Sequence, residues 1–247
     1  MPKFFVKTNQ IEENKIKIIG EDVKHIANVL RLKKEDEIQI CNLDTKMNYI
    51  ANINEIDKKY VKCKIKKIEN TDSETQVNIT LYQGLPKADK MEYIIQKNVE
   101  LGVKKIIPVE MERSIVKFDQ KTVEKKIERW QKISEVASKQ SGRDIIPKIE
   151  IPTNIKKICE NINEYDIVLV AYENEEDNTL KTELQKIKRT DNLKIAIIIG
   201  PEGGIDKKEI LQLKEVGAKT ITLGQRILRT ETASIVVISN IIYELEM

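Results

Sequence analysis

Two folding units of different class are expected: a small β-barrel over residues 1–70 and an α/β domain with a largely parallel sheet over residues 71–247. Three observations predict them. Short strand-like runs divided by polar turns fill the first 70 residues, a pattern that closes most simply as a small barrel. Residues 69–75 hold no large apolar side chain and read as an interdomain linker. Beyond them, strand runs alternate with amphipathic helices, as βα units around a parallel sheet do. A chain of 247 residues is long enough for each half to bury its own core.

In the first unit the strand candidates are residues 15–19, 37–41, 49–53 and 60–68. One helix interrupts them over residues 22–32, where Val23, Ile26, Val29 and Leu30 share a face and the opposite side is basic; it is expected to lid the barrel. In the second unit the strands fall at 77–83, 106–110, 167–171, 195–199 and 220–223. Between them run helical stripes at three- and four-residue steps: Met91, Ile94 and Ile95; Val123, Ile127, Trp130 and Ile133; Ile155, Ile158, Cys159 and Ile162. These are core positions. The last helix, beginning near Glu231, is apolar almost all round through Ile235, Val236, Val237, Ile238, Ile241, Ile242 and Leu245. One buried face does not account for it, so a subunit interface or a deep core position is expected.

Hydrophobic residues at 40% and charged residues at 34% describe an ordinary globular chain. Cys41, Cys63 and Cys159 lie far apart, offering neither a zinc-binding pair nor an even disulfide set, and His25 is the only histidine. No metal site is expected. The start Met1-Pro2-Lys3-Phe4-Phe5 lacks the apolar run of a signal peptide, and no stretch approaches the roughly 18 apolar residues of a membrane span, so a cytoplasmic location is expected. The net charge of +3 conceals an asymmetry. Residues 1–70 carry 15 basic and 11 acidic groups, residues 84–143 carry 14 and 9, and the remainder is acidic. A polyanion would meet those two regions, although solvated lysine-rich faces explain the charge equally well.

Two loops carry the candidate chemistry. The apolar run 195–199 leads into Gly200-Pro201-Glu202-Gly203-Gly204, followed by a helix whose Asp206 and Glu209 resemble a capping box. Such a turn exposes bare backbone to a ligand. It lacks the Gly-Lys-Ser/Thr ending of a phosphate loop, and no Gly-x-Gly follows an early strand, which disfavours nucleotide triphosphatases and dinucleotide enzymes. A plain strand-to-helix turn is the lesser alternative for that loop alone. The second is Leu223-Gly224-Gln225-Arg226-Ile227-Leu228-Arg229-Thr230-Glu231-Thr232-Ala233, between a strand and the last helix. Thr230 or Glu231 could cap that helix. Capping does not explain two arginines, since Arg229 opposes the helix dipole unless it serves an anionic ligand.

Taken in order, these two loops resemble the uridine-N3 methyltransferases of small-subunit ribosomal RNA, of the SPOUT class. The resemblance extends upstream to His25-x-x-x-Val29-Leu30-Arg31, to Lys90-Met91-Glu92 with Gln96-Lys97 and Glu100-Leu101-Gly102-Val103, and to Glu135 with Gln140-Ser141-x-Arg143. It implies an N-terminal PUA-like β-barrel, a C-terminal SPOUT domain closed by a trefoil knot, and a homodimer with active sites at its interface. It implies S-adenosyl-L-methionine bound at Ala171, Tyr172, Glu173, Ile199, Gly200, Pro201, Glu202, Gly203, Gly204, Leu223, Gly224, Ile227, Leu228, Thr232 and Ala233. The expected partner is 16S ribosomal RNA within the small ribosomal subunit, met by Lys3, His25, Arg31, Lys87, Lys90 and Arg143. Lys3 departs from the arginine usual in the family, and Asp144 follows Arg143 at a variable position.

Methylating N3 of a uracil, at one uridine of the decoding region, requires removal of the imide proton. Arg229 and Arg143 are the expected electrostatic partners of the imide oxygens, and Glu231 or Glu202 the proton acceptor. His25 is expected near RNA rather than at the chemistry. Two alternatives remain at this point: a SPOUT ribose 2′-O-methyltransferase, and a non-catalytic RNA-binding protein whose second domain only dimerises.

Overall fold

The computed structural model describes residues 1–71, 73–116, 120–188, 190 and 192–247; Asp72, within the expected linker, lies outside the described residues. The chain divides into two compact units, Met1–Glu74 with Ser138–Ile145 and Thr75–Ala137 with Ile146–Met247.

The first unit is built on six strands: β1 (Lys3–Val6), β2 (Ile11–Glu12), β3 (Lys15–Ile19), β4 (Glu37–Asn42), β5 (Asn48–Ile56) and β6 (Tyr60–Glu69). They run in the order β1-β4-β5-β6-β3-β2, with β1 parallel to β4 and every other pairing antiparallel. The alternation Lys15, Ile16, Lys17, Ile18 puts the isoleucines inside and the lysines outside. Register shifts along β5 and β6 at Ile50/Ala51 and Ile53/Glu55 bend the sheet around a core of Phe4, Ile16, Ile18, Ile38, Ile40 and Ile53. The sheet curls into a half-barrel, in keeping with the small β-barrel expected. Among the described residues β1 and β2 are the two edges of this sheet, and no ladder joins them.

The expected helix over 22–32 is a short one, α1 (Glu21–Lys24), continued by a π turn at His25–Val29. Val23 and Ile26 are buried as expected, but Val29 is 66% exposed and Leu30 38%. The π turn, closed by Leu30 N–H to His25 O at 2.9 Å, is wider than an α turn and rotates these two residues off the apolar stripe.

Ser138–Ile145 groups with the first unit, contrary to the contiguous division expected. Buried charge explains why. Asp144 is 6% exposed and accepts hydrogen bonds from Lys3 Nζ, Thr71 Oγ1, Asn48 Nδ2 and Ser73 Oγ. Arg143, 2% exposed, pairs with Glu74 at 2.7 Å, and Glu74 also accepts the backbone N–H of Asp144. Two expectations fall here: Lys3 and Arg143 do not face RNA, because both side chains are buried against carboxylates. Lys3 and Asp144, the two departures from the family pattern, are each other's partners.

The second unit follows the alternating pattern: β7 (Asn78–Gly84), α2 (Lys90–Glu100), β8 (Lys105–Glu110), α3 (Gln120–Ser141), β9 (Lys148–Ile149), β10 (Thr153–Asn154), α4 (Ile155–Glu160), β11 (Ile167–Ala171), α5 (Leu180–Gln185), β12 (Lys194–Ile199), α6 (Lys207–Glu215), β13 (Lys219–Ile221) and α7 (Thr230–Glu246). The strands are all parallel, in the order β10-β8-β7-β12-β11-β13, with β9 against β8. The apolar runs of β12 and β11 are buried on both sides, as a parallel sheet covered on two faces requires. One core takes Met91, Ile94 and Ile95 of α2 with Trp130 of α3 and Val237, Ile238 and Ile241 of α7. The other takes Ile155 and Ile158 of α4 with Ile210 and Leu213 of α6. A single face of α7 is buried in this core, while Ile235, Val236 and Ile242 are half-buried and Tyr243 is exposed. Asn98, fully buried on α2, donates to Ser234 Oγ on α7 at 3.1 Å and stitches the two helices together.

Burial pushes the Asp144 carboxyl up, but hydrogen bonds from Lys3, Thr71, Asn48 and Ser73 outweigh it and hold it below the usual aspartate range. Asp144→Asn leaves the Lys3 ammonium buried without its counter-ion, an expected cost of about 3–5 kcal/mol, read from the denaturation midpoint at neutral pH. A depressed carboxyl contributes stability above its unfolded pKa and loses it as pH falls through its folded value. The gap between wild type and variant therefore closes on acidification; a gap independent of pH would remove the ion pair as its cause.

Candidate functional site

Strands β12, β11 and β13 lie side by side and parallel, so their carboxyl ends open at one edge of the sheet. Ligands of open α/β sheets bind at such edges. A cleft of about 540 Å³ lies there, walled by Ala171, Tyr172 and Glu173 after β11, by Ile199 and the glycine turn after β12, and by residues 222–230 after β13. Lys90 and Ala233 complete the lining.

The glycine turn is held in shape from several sides. Gly204 N–H donates to Pro201 O at 2.9 Å, closing the turn. Gly204 itself has φ +72°, a left-handed conformation that favours glycine, and the exposed Glu173 carboxylate lies against it, 2.2 Å from where a Cβ would stand. A Cβ on Gly84, at the end of β7, would sit 2.5 Å from Pro201 N. Asp206 and Glu209 form the capping box that starts α6: Asp206 accepts from Lys208 N–H at 3.0 Å, and Glu209 accepts from Asp206 N–H at 3.2 Å. Arg113 donates to Gly203 O at 3.1 Å and pins the turn from outside.

One hydroxyl joins the glycine turn to the arginine-bearing segment. Thr230 Oγ1 donates to Gly200 O at 2.6 Å and accepts from Gln83 Nε2 at 2.8 Å, with Thr230 5% exposed and Gln83 fully buried. The two loops, about twenty residues apart in sequence, therefore form two walls of one cleft.

Arg226 and Arg229 line that cleft, are exposed, and have no carboxylate partner among the described residues. Arg229 occupies the cap position of α7 in extended conformation, its side chain making no capping hydrogen bond. Ile227 between them is 88% exposed. Of the two carboxylates expected to accept a proton, Glu202 lines the cleft and Glu231 does not. Lys90 Nζ joins them, 3.1 Å from Glu202 and 3.4 Å from Glu231. Burial raises the Glu202 carboxyl, but its own backbone N–H, the Lys90 ammonium and the Lys87 N–H prevail and hold it below the usual glutamate range. The hydrogen bond to Glu202 in turn raises Lys90.

Of the other residues named from sequence, Thr232 is exposed on α7 and does not line the cleft. His25 and Arg31 lie exposed in the first unit, His25 edge-on to Phe4 and Arg31 at φ +53°. Lys87 is exposed. Arg143, buried in the first unit, takes no part in the cleft. Sequence reasoning missed Gln83 and Thr230 as the link between the loops. A polar residue following the apolar pair Leu81-Tyr82 near the end of a buried strand, as Gln83 does, was the available signal.

Residues 73–242 match the family model of the RNA methyltransferase domain, and residues 18–66 that of the RNA methyltransferase PUA domain. The chain belongs to the RNA methyltransferase family. A ribosomal RNA small subunit methyltransferase E of Bacillus subtilis is 35% identical over all of this chain and 98% of its own length. The crystal structure of a ribosomal RNA small subunit methyltransferase E from Neisseria gonorrhoeae, bound to S-adenosyl methionine, is 32% identical and superposes with a TM-score of 0.85 over 98% of this chain and 97% of that one. A methyltransferase from Legionella pneumophila, in complex with the bound cofactor SAM, is 28% identical with a TM-score of 0.86 over 98% of this chain and 96% of its own. The fold is that of the family: an α/β SPOUT methyltransferase domain preceded by a PUA-like sheet.

Thr230→Val removes the link while keeping the shape, leaving Gly200 O and Gln83 Nε2 buried without it. The expected loss is about 1–3 kcal/mol of stability by chemical denaturation, largely restored by Thr230→Ser. A Val variant as stable as wild type would mean the two loops are held together by something else.

Proposed function

We propose that this chain transfers a methyl group from S-adenosyl-L-methionine to N3 of one uridine in 16S ribosomal RNA. The observation that carries the reading is the joining of the glycine turn and the arginine segment through Thr230 into one cleft with two guanidinium groups that have no carboxylate partner among the described residues. Full-length similarity to ribosomal RNA small subunit methyltransferases E supports the substrate, and the relatives holding S-adenosyl methionine support the cofactor.

The cleft suits that cofactor. Its volume of about 540 Å³ falls within the ~300–1,000 Å³ usual for small-molecule sites. Ile199, Leu223, Leu228 and Ala233 offer apolar surface to a purine, while the glycine turn and residues 223–228 offer backbone amides and carbonyls to its polar edges. When bound, S-adenosyl-L-methionine supplies a methyl group activated by a positively charged sulfur.

The chain's own residues have to deal with the uracil proton. An imide titrating about two units above neutral pH costs on the order of 3 kcal/mol to ionise. Arg229, with no carboxylate partner among the described residues, is placed to offset charge developing on a uracil oxygen. Glu202 is ionised at neutral pH and lines the cleft, so it is the acceptor for the N3 proton. A carboxylate with a depressed pKa is a weak base, and this gives Arg229 the larger share of the work. Glu231, tied to Lys90, steadies the start of α7. The half-buried apolar side chains of α7 support a homodimer, and the small ribosomal subunit is the expected substrate in the cytoplasm.

Arg229→Ala is expected to keep cofactor affinity by calorimetry and to lose about 100–1,000-fold in methyl transfer. Normal turnover in that variant would exclude Arg229 from the mechanism. Mass spectrometry of nucleosides from the modified RNA should show 3-methyluridine. A 2′-O-methylated nucleoside would replace this reading with ribose methylation, and absence of cofactor binding would leave an RNA-binding protein without catalysis.

A further inference from the structure

The outer face of the first unit's sheet carries an arrangement that costs stability. On adjacent antiparallel strands β3 and β6, Lys15 stands opposite Lys64 and Lys17 opposite Lys62, all four exposed. Like charges directly opposite each other in an antiparallel pair repel. Lys66 continues the row along β6.

Carboxylates neutralise only part of this row. Lys62 pairs with Glu55 at 2.8 Å, and Lys66 pairs with Glu37. Glu12 stands opposite Lys15 on the other side, but no ion pair forms between them, and Lys15, Lys17 and Lys64 have no carboxylate partner among the described residues. Tyr60, opposite Ile19 at the end of the row, has the ammonium groups of Lys17 and Lys62 over its ring at 5.1 and 4.7 Å. The tyrosine thus holds two of the cations in place on the sheet. Antiparallel geometry sets neighbouring rungs on one face about 7 Å apart, so the row is a two-column ladder of positive charge on a rigid backbone.

We infer that this lysine ladder, Lys15 and Lys17 on β3 with Lys62 and Lys64 on β6, is a binding surface for the phosphate backbone of RNA. The inference rests on the reading of an RNA substrate and adds a contact outside the cofactor cleft. Lysine is a point charge without a planar fork, so the surface grips phosphates without reading bases. Its affinity is therefore governed by release of counterions and is steeply salt-dependent. Charge complementarity favours a polyanion over any apolar partner, and a regular row of cations on a stiff sheet suits a regular row of phosphates.

The test uses the full chain carrying Lys15→Gln, Lys17→Gln and Lys64→Gln together, sparing the two lysines with carboxylate partners. Affinity for a labelled fragment of small-subunit ribosomal RNA, followed by anisotropy across a salt series, should weaken at least about tenfold at low salt. The slope of log K against log salt should shrink by ~2, at about 0.7–0.9 for each phosphate no longer neutralised. Thermal stability should hold or rise, because the repulsion is gone, and affinity for S-adenosyl-L-methionine should stay the same. Unchanged RNA affinity and slope would overturn the inference, as would a fall in thermal stability, which would make the lysines structural. Loss of binding to polyglutamate with RNA binding intact would assign the face to an acidic protein instead, and overturn it too. Methyl transfer by the wild-type chain is measured alongside: if it fails, the enzymatic reading fails, whereas methylation with unaffected RNA binding in the variant defeats the ladder alone.

Discussion

Thr230 stands where three pieces of chain each need a partner. Gly200 begins the glycine turn, Gln83 lies one residue before the end of β7, and Thr230 opens α7; one hydroxyl satisfies a carbonyl on one side and an amide on the other. Buried polar groups are costly when unpaired, so this small network fixes the distance between the two cleft walls more firmly than apolar contact would. The rest of the site follows. With Gly200 and Thr230 joined, the loop before α7 must wrap the mouth of the cleft, and Arg226 and Arg229 are carried there with it.

The distribution of positive charge separates framework from function. Lys3 and Arg143 are buried and matched by Asp144 and Glu74, where their role is to bind Ser138–Ile145 into the first unit. Arg226, Arg229 and the lysines of β3 are exposed and unmatched by carboxylates among the described residues. In a chain with 43 lysines and arginines against 40 acidic residues, an unmatched cation is informative because so many acids are available to match it. Lys90 lies between these groups, lining the cleft yet shared by two carboxylates.

Much of this was legible in the sequence where one physical rule dominated. Strands buried on both faces, such as Ile167–Ala171, announce themselves by unbroken apolar runs, and the loop chemistry of residues 200–204 and 223–229 is local. What escaped had non-local causes. β1 is four residues with no alternation, a strand only because β4 lies beside it. The π turn at His25–Val29 preserves a helical spacing in sequence while turning Val29 and Leu30 outward. Lys3 and Arg143 look like surface cations until Asp144 and Glu74 are seen against them, and Thr230 reads as a helix cap although its hydroxyl is committed to Gly200 and Gln83.

Hydrogen exchange of backbone amides, with and without saturating S-adenosyl-L-methionine, tests the joined cleft most directly. Amides of residues 199–204 and 223–229 should slow together, with the strand ends at 171–173, while the first unit's sheet is unaffected. Protection confined to one of the two loops, or found in neither, would contradict the account.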